Sequence, residues 1–175
     1  THTCLARTQV LTLVQDELSK ALLEIGMSSN AAVLSYFCSL ILLIYANLRG
    51  AMKHQLQALI KCVLIPLGEG SGATFEQQRI ALECLVDLTR HGSFAVDIYT
   101  NFDCEIDSIN LFEDLTTLFS KNAFPVNCPL SAVHLLSLEG LLTIVQSIAD
   151  RCQVCRLCNE AVYTVTSLPF FPGNS

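Results

Sequence analysis

From Ile25 to Leu48 the chain carries no charged residue, and this run constrains the fold more than any other feature. An uncharged segment of that length either crosses a bilayer or is covered by other protein. Gly26, Ser28, Ser29, Asn30, Ser35, Ser39 and Asn47 interrupt it, leaving Ala31 to Ala46 as its apolar part. A bilayer asks for roughly 20 apolar residues. The expected solution is therefore a helix from about Ala31 to Asn47, apolar nearly all round and sandwiched between neighbours in an all-α protein.

Helical spacing continues on both sides. Val10, Leu13, Val14, Leu18, Ala21, Leu22 and Ile25 follow three- and four-residue intervals, with Gly26 as a stop. Asn30 is placed to cap the Ala31 helix. A third helix is expected from about Leu48 to Leu64, with Arg49, Lys53, His54, Gln55 and Lys61 on its polar side and Pro66 ending it. Gly68-Glu-Gly-Ser-Gly-Ala73 reads as a flexible linker, because no strand precedes its glycines and no Gly-Lys-Ser/Thr follows them as a phosphate cradle requires.

Thr74-Phe-Glu-Gln77 has the form of a capping box and opens a helix to His91, stopped at Gly92. Ser93 is expected to cap a short helix through Tyr99. Asp107 or Ser108 is expected to cap the next, whose apolar stripe is Leu111, Phe112, Leu115, Leu118 and Phe119. Phe124-Pro-Val-Asn-Cys-Pro129 is a stiff loop. Ser131 then starts a last helix to about Arg151, and its leucines at 135, 136, 138, 141 and 142 place it centrally as well.

No period-two strand pattern appears, and paired helices would repeat at roughly the 40-residue spacing of armadillo and HEAT arrays. The expected fold class is all-α, an α-solenoid of armadillo/HEAT-like helix pairs. An irregular α-helical bundle is the alternative, since no repeat motif is visible. The chain divides into a helical segment at 1-66, a flexible linker at 67-73, a helical region at 74-151 and a tail at 152-175. A solenoid segment exposes apolar faces at its ends and normally needs neighbouring repeats or caps.

A hydrophobic fraction of 51% against 15% charged residues argues against disorder. The net charge of −6 lacks the basic stripe that phosphate neutralisation requires, which argues against nucleic acid as a partner and against purely electrostatic docking on anionic lipid. Among the nine cysteines, Cys38, Cys62 and Cys84 sit inside apolar helical patterns as buried thiols do, so a reducing cytosol is expected. The opening Thr1-His-Thr-Cys-Leu-Ala-Arg7 has neither an initiator Met nor a signal-peptide order, and reads as the interior of a longer protein.

Chemistry-bearing motifs are sparse. His2, His54, His91 and His134 have no nucleophile or carboxylate at a catalytic spacing. Asp103, Glu105, Asp107, Glu113 and Asp114 form an acidic cluster, but Ile106 stands at the centre of any calcium loop there, so helix-start charge is the simpler reading. Cys152, Cys155 and Cys158 lack the fourth ligand that zinc and iron–sulfur sites use. No cofactor or metal is expected. Asp103, flanked by Phe102 and Cys104 just after a helix end, is placed to accept backbone N–H bonds and fix a loop, or to touch a partner.

Tyr99-Thr-Asn-Phe-Asp-Cys-Glu-Ile-Asp-Ser-Ile-Asn-Leu-Phe-Glu-Asp-Leu115, Leu118-Phe-Ser-Lys-Asn-Ala-Phe-Pro-Val-Asn-Cys-Pro129 and Leu135-Leu-Ser-Leu-Glu-Gly-Leu141 carry a family resemblance. The chain resembles the "homology upstream" region that precedes the catalytic domain in large ARF guanine-nucleotide exchange factors of the GNOM and Golgi brefeldin-resistance class. Asn101, Phe102, Asp103 and Cys104 match the family's block, and Asn110, Leu111, Phe112 and Glu113 complete it. The family usually has Tyr at Phe102, Asp at Glu105 and Cys-Ser at Ser108-Ile109. The likeness runs roughly from Val10 to Asp150 and is strongest from Gln77 to Leu142.

The resemblance implies a cytoplasmic, non-catalytic regulatory segment, peripheral at Golgi or endosomal membranes; a generic helical-repeat scaffold, or a metal-binding protein using the carboxy-terminal thiols, is the alternative. It implies that Asn101, Phe102, Asp103, Cys104, Asn110, Phe112 and Glu113 organise a loop or contact other regions of the same exchange factor, namely its amino-terminal dimerisation region and catalytic domain. ARF itself would be met only through the full-length protein. In the family, exchange is performed by a separate downstream Sec-seven domain, and the resemblance implies that this chain covers a region without it.

Overall fold

The computed structural model describes residues 14–106, 108–124 and 129–166, with side chains between 15 and 153. Those residues form seven helices and no strand. Helix α1 joins a π-helical turn, Val14–Leu18, to Ser19–Gly26, and α2 is Ala31–Leu48. Helix α3 joins Lys53–Leu59, a π-helical turn at Ile60–Leu64 and Ile65–Glu69. Helix α4 is Phe75–Thr89, and α5 joins Phe94–Ile98 to a π-helical turn at Tyr99–Asp103. Helix α6 is Leu111–Ala123 and α7 is Ala132–Thr166, which carries the last helix past the expected stop near Arg151.

The local signals explain several boundaries. Asn30 Oδ1 accepts from Ala32 N at 2.9 Å and Val33 N at 3.4 Å, capping α2. Thr74 and Gln77 close a reciprocal capping box at the start of α4, with Gln77 N donating to Thr74 Oγ1 and Thr74 N to Gln77 Oε1. Pro66 does not end α3 as expected. The π-helical turn before it shifts the hydrogen-bond register, so Pro66 falls in the first turn of the next α segment, where its missing N–H is not needed. The stop comes from Gly70 instead, at φ 76°, a left-handed conformation that glycine adopts without strain. The Gly-rich stretch thus begins inside α3, and the Gly68 carbonyl accepts from Gln78 Nε2 at 2.9 Å and Asn122 Nδ2 at 3.0 Å. Ser93 makes no side-chain cap, because the backbone of the preceding turn already serves α5, with Phe94 N donating to the His91 carbonyl.

Helices α2, α4 and α7 pack in one row, and α1, α3 and α6 in a second. Each helix also packs on a partner across the rows: α1 on α2, α3 on α4, α6 on α7. Helix α5 lies against α4, α6 and α7. The core runs between the rows and includes Phe37, Phe94 and Phe119, with Leu82 and Leu85 of α4 fully buried.

The central helix is therefore α4, not α2 or α7. Helix α2 buries Leu34, Phe37, Cys38, Ile41, Ile44 and Tyr45 on one face, while Tyr36 on the other is 75% exposed. Helix α7 buries Val133, Ser137 and Ile144 and leaves Leu135, Leu142 and Val145 exposed. Each stands at an end of its row, so among the described residues it has a row neighbour on one side only. By length and composition Ala31–Leu48 and Ala132–Gln153 could each cross a bilayer, yet each buries one face against α4. Cys38 and Cys84 are buried as expected, whereas Cys62 is exposed.

Candidate functional site: the loop between α5 and α6

The matched block begins in the last turn of α5. The wide turn Tyr99–Asp103 puts Phe102 into the core and leaves Asn101 outside, its Nδ2 donating to the Asp97 carbonyl at 2.7 Å. Cys104 caps that turn through its backbone N–H to the Tyr99 carbonyl at 3.0 Å, and its thiol is exposed.

Asp103 is the organising residue of the turn. Its Oδ2 accepts the backbone N–H of Phe112 at 2.9 Å and its Oδ1 that of Glu113 at 3.2 Å. These are donors in the first turn of α6, which no intrahelical carbonyl can reach. A carboxylate there also meets the positive end of the helix dipole. Ser108 does not cap α6: its Oγ accepts from Gln57 Nε2 at 2.8 Å, and the helix starts three residues later. Asp107, the other expected cap, lies outside the described residues. Asn110 occupies the N-cap position with no side-chain cap hydrogen bond and instead donates through Nδ2 to Glu113 Oε2 at 2.9 Å.

A second set of contacts comes from α3. Lys53 Nζ meets Glu105 Oε1 at 2.6 Å, Gln57 meets Ser108, and Lys61 Nζ pairs with Asp114. Positions 53, 57 and 61 are four residues apart, so they rise along one helix face. Lys53 also stands 5.3 Å above the Phe102 ring, and the rings of Tyr99 and Phe112 meet edge-on at 5.7 Å.

The loop is thus held from two sides, and among the described residues its acids Asp103 and Glu105 are engaged by named partners. Among the described residues no group of three or more His, Cys, Asp or Glu side chains could hold a metal ion. Asp103, Phe112 and Glu113 come together, and Asn110 joins Glu113; Asn101 and Cys104 stand apart on the surface. The loop offers a surface for contact: Glu105 and Asn110 are exposed, Ile109 is partly so, and Ile106 is fully exposed although branched and apolar. Sequence reasoning placed Lys53 and Lys61 on a solvated face. Their regular spacing with Gln57 was the one signal that they serve a common neighbour.

The Mon2/Sec7/BIG1-like HUS domain model matches residues 2–111. The chain is 45% identical over 144 residues to the ARF guanine-nucleotide exchange factor GNOM of Arabidopsis thaliana, covering 82% of this chain and 10% of GNOM. It is 46% identical over 144 residues to the ARF guanine-nucleotide exchange factor GNL1 of the same plant, with the same coverage of each chain. It is 35% identical over 151 residues to the Golgi-specific brefeldin A-resistance guanine nucleotide exchange factor 1 homolog of Caenorhabditis elegans, covering 82% of this chain and 8% of that protein. The chain thus spans about a tenth of the length of these relatives. No solved structure matches it significantly. With the α5–α6 loop held at the end of the matched stretch, the chain belongs to the Mon2/Sec7/BIG1-like HUS domain family.

Proposed function

We propose that this chain is a non-catalytic regulatory and interaction segment of an ARF guanine-nucleotide exchange factor that acts in Golgi or endosomal vesicle trafficking. The observation that carries this reading is the α5–α6 loop, which lies in the matched stretch and is held rigidly by Asp103 and by α3 while exposing Ile106. The described loop acids Asp103 and Glu105 are engaged by neighbours in the same chain, and a loop held in a fixed shape suits recognition. Its partners are other regions of the same exchange factor, the amino-terminal dimerisation region and the catalytic domain. ARF is met through the full-length protein, at a peripheral cytoplasmic site on the membrane.

The two helix rows favour an armadillo/HEAT-type solenoid over an irregular bundle, because successive pairs α1–α2, α3–α4 and α6–α7 stack in order. On this reading the exposed apolar faces of α2 and α7 are the open ends of an array. The HUS stretch at 2–111 runs through the helical segment at 1-66, the residues at 67-73 and the start of the region at 74-151, and 152-175 is read as a divergent tail.

The test is a pull-down of the amino-terminal dimerisation region of the relatives by this chain, with Asp103→Ala compared beside thermal melting. Weaker capture with helicity retained supports the reading. No capture by the unaltered chain, or capture unchanged despite a large loss of stability, overturns the role of the loop as an interaction surface.

A further inference from the structure

A cavity of about 200 Å³ opens where the end of α2, the start of α3 and α5 meet. Its floor is apolar, made by Leu56, Ile60, Phe94, Ile98 and Phe102, and its mouth carries Arg49 and Lys53. Small-molecule sites run to roughly 300–1,000 Å³, so this cavity is too small for a cofactor and of the size that takes one large side chain. Anchor residues at protein interfaces fill pockets of this kind.

The charges at the mouth are unequal in what they offer. Lys53 is occupied by Glu105. Asp97 accepts from the Tyr45 hydroxyl at 3.1 Å and lies 3.7 Å from Arg49 Nε. The Arg49 side chain is 51% exposed, and its guanidinium lies 5.6 Å above the Tyr45 ring. Among the described residues its two terminal nitrogens donate to nothing. A half-exposed arginine that meets Asp97 through Nε keeps its two terminal nitrogens for a carboxylate in bidentate fashion. A bare inorganic anion would leave the apolar floor uncovered, and a cationic group would face Arg49 and Lys53 beside an Asp97 that Arg49 and Tyr45 already engage.

We propose that this cavity is an anchor pocket for a protein segment that presents an aromatic or branched aliphatic side chain next to a carboxylate, the side chain filling the floor and the carboxylate meeting Arg49. The inference goes beyond the loop reading above: most of its residues come from α2, α3 and α5, and its test needs no other part of an exchange factor.

The test is a titration of the ¹⁵N-labelled full chain, followed by amide chemical shifts, with N-acetyl-phenylalanine as probe and N-acetyl-phenylalaninamide and N-acetyl-alanine as comparisons. N-acetyl-phenylalanine is expected to saturate at millimolar concentration, with shifts centred on Arg49, Gly50, Lys53, Ile98 and Phe102. The amide should bind at least about threefold more weakly, the cost of losing the charge-assisted pair, and N-acetyl-alanine should not saturate. Arg49→Gln should make acid and amide equal. Gly50→Trp, at a position where an added Cβ meets no atom within 4 Å, should abolish binding of both with the melting temperature unchanged. Absence of saturable shifts up to about 20 mM, shifts centred elsewhere, or equal binding of acid and amide by the unaltered chain overturns the proposal.

Discussion

The Asp103 carboxylate accepts the backbone N–H of Phe112 at 2.9 Å across nine residues of chain, and so caps a helix to which it does not belong. A local cap would fix only the start of α6. This remote one also ties the end of α5 to α6, so the loop between them closes as a ring. Asp103→Ala leaves two backbone donors short of their acceptor and should lower stability by about 1–2 kcal/mol. Asp103→Asn keeps one acceptor and should lose less. Thermal and urea unfolding check both, and an Asp103→Ala protein that melts with the unaltered chain would sink the capping role.

Close packing of α7 on α6 depends on a missing side chain. A Cβ at Gly140 would lie 2.7 Å from the Phe119 ring, a distance that real contacts do not show. Replacing Gly by Ala inside a helix otherwise gains up to about 1 kcal/mol, so the two effects oppose each other. Overpacking a fully buried aromatic ring costs about 1–3 kcal/mol, and the clash should win. Gly140→Ala is expected to unfold at lower urea concentration than the unaltered chain, whereas Gly92→Ala, where a Cβ meets nothing within 4 Å, should not.

What the sequence disclosed and what it hid follow from the range of each interaction. Asn30 and the Thr74–Gln77 box were legible because a cap joins residues two or three apart. All-helical architecture was legible for the same reason, through the three- and four-residue rhythm. The cap at Asp103 was only half legible: its position after a helix end pointed to backbone N–H groups, but the donors sit beyond a loop whose path no local rule sets. The apolar surround of α2 suggested neighbours on both sides, yet composition does not count neighbours, and α4, with Arg79, Glu83 and Asp87 on its outer face, is the helix that has them. Pro66 reads as a breaker because a π-helical turn leaves no mark in sequence. The row of Lys53, Gln57 and Lys61 escaped notice because charge on a helix face reads as solvated until the neighbour is known.

Tyr45 links the pocket mouth to the response to alkali. Burial first, with the Asp97 carboxylate adding to it, raises its hydroxyl above the ordinary value of 10.0. A group whose folded pKa is raised contributes stability that is present below its unfolded pKa and lost as pH rises through the folded one. Stability should therefore fall as pH climbs above about 10, and Tyr45→Phe should remove part of that slope. Cys84, whose thiol is raised by its contact with Cys38 and by burial, adds a slope of the same sign. The informative quantity is accordingly the difference between the two proteins in urea unfolding from about pH 8 to pH 11. Parallel slopes would show that Tyr45 does not titrate in this window.

Exchange of nucleotide on ARF tests the regulatory reading from the other side. Among the described residues the acids of the α5–α6 loop and the start of α6 have partners: Asp103 in backbone donors, Glu105 in Lys53, Asp114 in Lys61 and Glu113 in Asn110. The matched family stretch ends at residue 111 and describes a HUS domain. The purified chain, added to ARF loaded with a fluorescent GDP analogue, should leave release at its uncatalysed rate at every concentration tried. An acceleration that scales with the chain, survives further purification and disappears on a substitution in the loop would place exchange chemistry in this segment and overturn its reading as non-catalytic.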